Sequence, residues 1–257
     1  LWVTAYRSGG DGPDYAPEST RVMVSYGRTD TTYLQLDALP IFLKTQVHSL
    51  TIAEGDNEQT TIVNYKLSLI TLVEDPDGFQ DLRDVEWFLY SNSQPDSLIR
   101  SGRMEFRPDS SIWWAEVPGD SFPTGRLDRV LTHPFVFKAT DRSGHQSQSQ
   151  PAYLARVIHE IPKNLSLSVT GRNPTFDWDF IWDAVFQDPT DFIYLLRVWN
   201  NQQTRIIYQK VIPATRFYTV RHTSEHTFEA GRYFWEIWTM DIFGNRARSR
   251  QVVMTVS

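Results

Sequence analysis

Cysteine is absent from the 257 residues. That excludes disulfides, thiolate nucleophiles and Cys-based zinc or iron–sulfur sites, while leaving the compartment open. No run of about eighteen apolar residues occurs, so no transmembrane helix is expected. The first residues lack a charged-then-apolar pattern, so no uncleaved leader is expected; a mature chain that had lost its leader would read the same way. Excess positive charge is missing as well: 25 Lys and Arg stand against 31 Asp and Glu, a net charge of −6, with the signs mixed along the chain. Without a basic stripe to neutralise phosphates, nucleic-acid binding is disfavoured. No convincing amphipathic helix, Gly-rich phosphate loop, Gly-x-Ser-x-Gly elbow or Ser–His–Asp ordering stands out.

What is present points to β structure. Hydrophobic residues make up 40% of the chain, enough for packed cores, and aromatic residues 14%, with nine Trp, fifteen Phe and eleven Tyr. Large flat side chains pack well on a pleated surface. The length suggests about two domains.

Residues 1–46 begin with the Gly-, Pro- and Asp-rich stretch "RSGGDGPDYAPEST" and read as an extended or irregular segment, with two short strand-like runs, "RVMVSY" and "TTYLQL". From Val47 the signal sharpens. "TTIVNYKLSLITLV" alternates, with Val63, Tyr65, Leu67 and Leu69 on one side and Ile62, Asn64, Lys66 and Ser68 on the other, as a half-buried strand does. "VEWFLY", "SIWWAEV", "PFVFKAT" and "AYLARVI" follow at sandwich spacing. "HEIPKNL", residues 159–165, reads as a linker, after which six more β-rich runs complete the chain. The expected organisation is an all-β fold of two tandem sandwiches, residues 47–160 and 161–257, after the N-terminal segment.

One sentence of the sequence occurs twice. Asp141, Gly144, Ser147 and Ser149 of "ATDRSGHQSQS" are answered at identical spacing by Asp241, Gly244, Ala247 and Ser249 of "TMDIFGNRARS". Each copy follows a strand of alternating large residues. The Asp can accept backbone N–H bonds in the reversal, and the Gly can take the positive φ that the hairpin needs. The repeat is expected to be the closing hairpin of each sandwich, and structural.

"GRYFWEIWTMDIFGNRARS", with its Gly, the Tyr two residues on and the Asp-x-x-Gly-Asn turn, resembles the closing strands of bacterial fibronectin type III domains, and "PTFDWDF" agrees with it. "LVEDPDGFQDLRDVEWFL" resembles a passage of bacterial immunoglobulin-like domains found in secreted and surface proteins. The resemblance covers about residues 47 to 257 and is one of fold. It implies adhesion, spacer or docking roles, and function does not transfer with it.

Several residue groups could carry chemistry. "HTSEH", His222 to His226, matches the His-x-x-Glu-His pattern of some zinc peptidases, but that motif needs a helix to bring both imidazoles to one ion, and here it lies between strand-like runs, so a solvated loop is expected. Asp75, Asp77 and Asp81 in "DPDGFQD" have the oxygen-rich, tightly turned composition of a calcium loop, against the alternative of a turn whose Asp side chains bond local backbone. Trp113 and Trp114 are adjacent, so on a strand one points inward and the other is free to stack on a sugar or a partner protein. Asn164-Leu165-Ser166 is a glycosylation sequon by composition. Asp177 and Asp179 flank Trp178 on one side of a strand and are expected on a solvated face.

These features make a non-catalytic, extracytoplasmic structural or interaction module the leading expectation: a subunit or accessory of a larger envelope or cell-surface assembly, needing no cofactor and partnered by other proteins. The irregular start is what would follow a cleaved leader or a lipid anchor. Membrane association would then come from that anchor or from a membrane-protein partner. The alternative is a carbohydrate-binding accessory module using exposed Trp residues.

Overall fold

Alternating burial along the strands is what organises this chain. The computed structural model describes residues 2–5, 18–21, 37–94, 96–122, 125–181, 191–215 and 218–257. In chain order the strands are β1 (Trp2–Ala5), β2 (Glu18–Arg21), β3 (Ile41–Glu54), β4 (Ile62–Glu74), β5 (Leu82–Tyr90), β6 (Leu98–Arg103), β7 (Glu105–Arg107), β8 (Ile112–Pro118), β9 (Pro134–Asp141) and β10 (Gln146–Gln148). They continue with β11 (Ala152–Tyr153), β12 (Lys163–Thr170), β13 (Asn173–Asp179), β14 (Phe192–Trp199), β15 (Ile206–Pro213), β16 (Thr219–Thr223), β17 (Gly231–Asp241), β18 (Arg246–Arg248) and β19 (Val252–Val256). The helical segments among the described residues are short 3-10 turns, so the fold is all-β. β1 and β2 pair as an antiparallel ladder inside the expected irregular segment. The expected runs "RVMVSY", from Val22, and "TTYLQL" lie outside the described residues.

Two compact units emerge. Unit 1 comprises Leu1–Val47, Leu69–Ala115 and Thr132–Tyr153; unit 2 comprises His48–Ser68, Glu116–Leu131 and Leu154–Ser257. The division falls within β3, β4 and β8. It therefore groups 48–68, 116–131 and 154–160 with unit 2, whereas the sequence reading placed them in the first sandwich.

In unit 1 the sheet order is β10-β9-β5-β6, with β11 also on β9. Trp87 faces Phe137 and Leu89 faces Phe135 across the β5–β9 ladder, and all four are buried. On β4, Leu69, Thr71 and Val73 are buried and alternate with half-buried Ile70 and Leu72.

In unit 2 a three-stranded sheet, β12-β13-β16, packs on β15-β14-β17, with β18 and β19 continuing from β17. The cross-sheet contacts are aromatic. Phe176 of β13 meets Trp235 of β17 edge-on at 5.0 Å between ring centroids, and Trp178 of β13 meets Tyr194 of β14 at 5.5 Å. Leu196, Val198, Ile237 and Met254 fill the space around them. Each such side chain contributes about 1.5–3 kcal/mol on full burial. Two antiparallel sheets closed over one core in this strand order form an immunoglobulin-like, fibronectin type III-like β-sandwich. β18 pairs in parallel with residues 50–52 of β3.

The expected linker 159–165 is packed instead. Ile158, Ile161 and Leu165 belong to the unit 2 core, Pro162 is buried beside Ile161, and β12 starts at Lys163, so the apolar side chains of this proline-containing stretch hold it against the sandwich. The expected strand 152–158 is shorter than read: only Ala152–Tyr153 pair, while Leu154, Val157 and Ile158 are buried without a ladder.

The repeated turn has the same backbone frame in both copies. Asp141 N–H donates to His145 O at 3.1 Å, and Asp241 N–H to Asn245 O at 3.0 Å. Each Asp accepts on Oδ1 the N–H four residues on, at 2.8 Å in both copies. Gly144 and Gly244 hold φ of 92° and 87°, the left-handed conformation that favours glycine. Ser149 Oγ accepts Phe137 N–H and Ser249 Oγ accepts Ile237 N–H, each at 3.0 Å.

Candidate metal centre

Asp141 closes the β9–β10 turn with Oδ1, which leaves Oδ2 for something else. The residue is fully buried, and Oδ2 has no hydrogen-bond donor among the described residues. His145 Nδ1 lies 3.5 Å from it. Asp37, just before β3, brings Oδ2 to 3.2 Å from the same Nδ1. One ligand atom from each of Asp37, Asp141 and His145 lies within 4.8 Å of the other two.

The β4–β5 turn supports this cluster from one side. Gly78 N–H donates to Asp75 O at 2.9 Å, and Asp75 Oδ1 accepts Asp77 N–H at 2.9 Å. Asp77 Oδ2 accepts Ala38 N–H at 2.6 Å, which fixes the backbone next to Asp37. Asp81 O accepts Arg142 N–H at 2.8 Å and ties the turn to the repeated hairpin. Asp75 Oδ2 is likewise buried without a donor among the described residues.

The electrostatics follow from crowding. Burial first, and then the negative charges of Asp81, Asp77 and Asp141, push the Asp75 carboxyl above the ordinary carboxylate range, although the Asp77 N–H opposes this. Asp81 is pushed up by desolvation and by Asp37, Asp141 and Asp77, against the Arg142 guanidinium. Hydrogen bonds, first from Ser143 and then from His145, hold Asp37 below that range.

Of the residues read as calcium candidates, Asp75 and Asp77 spend one oxygen each on backbone N–H groups. The described residues bring Asp37, Asp141 and His145 into one ligand-distance group, and Asp75, Asp77 and Asp81 are not brought into such a group. Asp141 was visible in the sequence as a turn residue, and His145 as the position where the second copy has Asn245. Nothing in the sequence marks Asp37.

The other candidates are accounted for by packing. Trp113 is 8% exposed and packs on Phe106 at 5.5 Å, while Trp114 on the opposite face is covered by the Arg107 guanidinium at 3.5 Å. In "HTSEH", His222 lies on β16 and its Nε2 pairs with Tyr208 OH at 2.9 Å, so it sits in a strand and not in the expected loop. Glu225 pairs with Lys210 at 2.9 Å, and His226 stacks parallel to Tyr208. Asp177 accepts from Arg221 at 2.6 Å. Asp179 accepts from Thr219 at 2.6 Å and Asn164 at 2.9 Å, and these two bonds lower its pKa. The Asn164 amide of the sequon is engaged in that contact.

No protein-family model matches the chain, and no curated protein matches it. Among solved structures it is similar to the crystal structure of the chicken CNTN1 FN1-FN3 domains, at 12% identity over 82% of this chain and 68% of that one, with a TM-score of 0.39. It is also similar to the selenomethionine-substituted chicken interferon gamma receptor alpha chain, at 10% identity over 80% of this chain and 96% of that one, with a TM-score of 0.32.

Proposed function

We propose that the chain is a non-catalytic, extracytoplasmic module that docks other proteins of a larger assembly, using the loop end of unit 2. The observation that carries this reading is the placement of four exposed apolar side chains. β13 ends and β16 starts where Asp179 pairs with Thr219, and β14 starts where β17 ends, at the Phe192–Asp241 pair. Strand direction therefore puts Ile181, Tyr218, Ile242 and Phe243 at one end of the sandwich. All four are exposed, Ile242 by 68% and Tyr218 by 64%. Single exposed apolar residues are ordinary, whereas a group rimming one end of a rigid scaffold is how loop-borne recognition surfaces are built. In the first copy of the turn the positions matching Ile242 and Phe243 are the exposed, polar Arg142 and Ser143, so turn geometry does not require apolar residues there.

The carbohydrate alternative needs an open aromatic face. With Trp113 buried and Trp114 under Arg107, the two Trp residues proposed for it do not supply one.

Affinity isolation of the full chain from its native source tests the reading. A stoichiometric partner is expected, and it should be lost from an Ile242→Asp/Phe243→Asp variant whose melting profile is unchanged. A monodisperse monomer with nothing bound would overturn the reading, as would a partner retained by that variant.

A further inference from the structure

We propose that Asp37, Asp141 and His145 hold a divalent metal ion of the Zn²⁺ or Mn²⁺ class, bound by one oxygen from each carboxylate and by Nδ1 of the imidazole. Two edges of the triangle fit such an ion. Ligands about 2.1 Å from a tetrahedral ion stand about 3.4 Å from one another, and Nδ1 is 3.2 Å from Asp37 Oδ2 and 3.5 Å from Asp141 Oδ2. An imidazole with carboxylates suits the borderline ions, whereas calcium takes six to eight oxygens and seldom a nitrogen.

The second, independent observation is the state of Asp141. A buried carboxylate oxygen without a donor is costly. The second copy of the same turn shows how the fold relieves that cost: Asp241 Oδ2 accepts Asn245 Nδ2 at 2.9 Å and has Arg156 at 3.9 Å. In the first copy His145 replaces the amide, and what gathers around Asp141 is further negative charge, from Asp37, Asp75, Asp77 and Asp81, with Arg142 opposing at Asp81. A cation completes at Asp141 what Asn245 and Arg156 complete at Asp241. The side chains of Asp37 and His145 keep 18% and 31% of their exposure, which leaves an entry path and room for water as a further ligand. The ion would tie together the segment before β3 and the β9–β10 hairpin, with the β4–β5 turn holding Ala38 in place.

The test uses the full chain, freed of metal with a chelator and titrated with Zn²⁺, Mn²⁺ and Ca²⁺ by calorimetry and thermal unfolding, with Co²⁺ absorption as the ligand-field readout. One equivalent of Zn²⁺ or Mn²⁺ should bind and raise the melting temperature in proportion to the logarithm of free metal. Asp37→Asn should weaken binding by more than about tenfold, with the metal-induced rise in each protein read against its own metal-free melting temperature. His145→Gln should change the Co²⁺ spectrum. No uptake of Zn²⁺ or Mn²⁺ would overturn the proposal. Binding of Ca²⁺ that His145→Gln leaves intact would overturn this ligand set.

Discussion

Asn245 Nδ2 lies 2.9 Å from Asp241 Oδ2, and the same side chain accepts Ser49 N–H on Oδ1 at 2.8 Å, so one buried amide joins the repeated turn to β3. Asn245→Ala leaves both a buried carboxylate oxygen and a buried N–H without that partner. Each orphaned group costs about 1–3 kcal/mol. With two groups orphaned, chemical denaturation should show a loss of about 2–6 kcal/mol, and Asn245→Asp should not restore it, because it brings a second carboxylate to Asp241.

Gly144 and Gly244 share their backbone conformation but not their surroundings. A Cβ at Gly144 meets nothing within 4 Å, whereas one at Gly244 falls 2.6 Å from Cε1 of buried His48. Val at either site should cost about 1–3 kcal/mol through strain at positive φ. Gly244→Val should cost measurably more, as the His48 ring must move. Equal losses in melting experiments would show that the turn conformation alone sets the penalty.

Ser149 and Ser249 do the same work. Each hydroxyl accepts a strand N–H at 3.0 Å and donates to the next residue's carbonyl, at 2.9 Å to Gln150 and 2.8 Å to Arg250. Ser→Ala at either position removes the acceptor for a core-strand N–H. Losses of about 1–3 kcal/mol are expected at both, similar to each other, with partner binding and metal uptake unchanged.

Asp75 makes stability depend on pH with a defined sign. Its folded carboxyl has a pKa above the ordinary 3.8, so the folded state holds the proton more tightly than the unfolded chain. The resulting contribution is complete below about pH 3.8 and is lost as pH rises through the folded value. In chelator, Asp75→Asn keeps the acceptor for Asp77 N–H and removes the charge. The variant should therefore be more stable than the parent at about pH 7.5, and the two urea-denaturation curves should converge towards about pH 3.5. A parent protein that remains the more stable of the two at neutral pH would contradict this account.

Much of the fold was legible because half-buried strands write their geometry into a two-residue period. Tyr65, Leu67 and Leu69 showed β4 in this way, and the Asp, Gly and Ser spacing showed both hairpins. β3 escaped notice because Val47 to Ala53 is buried almost continuously and includes His48, Ser49 and Thr51. Those polar side chains would mark a surface in any local reading. Ser49 N–H and Thr51 Oγ1 are satisfied by Asn245 and by Ile158 O, far along the chain. The metal centre was half legible for the same reason: Asp75 and Asp77 advertise a turn, while Asp37 meets His145 only through the fold, 108 residues away.

The bond from Ser49 to Asn245 spans 196 residues. At about 5–20 residues per second of synthesis, β3 leaves the ribosome some ten to forty seconds before the strand that completes it exists. For that interval its 50–52 stretch, which ends in a parallel ladder with β18, is an unpaired edge of the kind that templates pairing between chains. Parallel, long-range pairing is also the slowest kind to form. An edge made early is thus quenched by a strand made some two hundred residues later, which makes premature termination before Asn245 a route to aggregation.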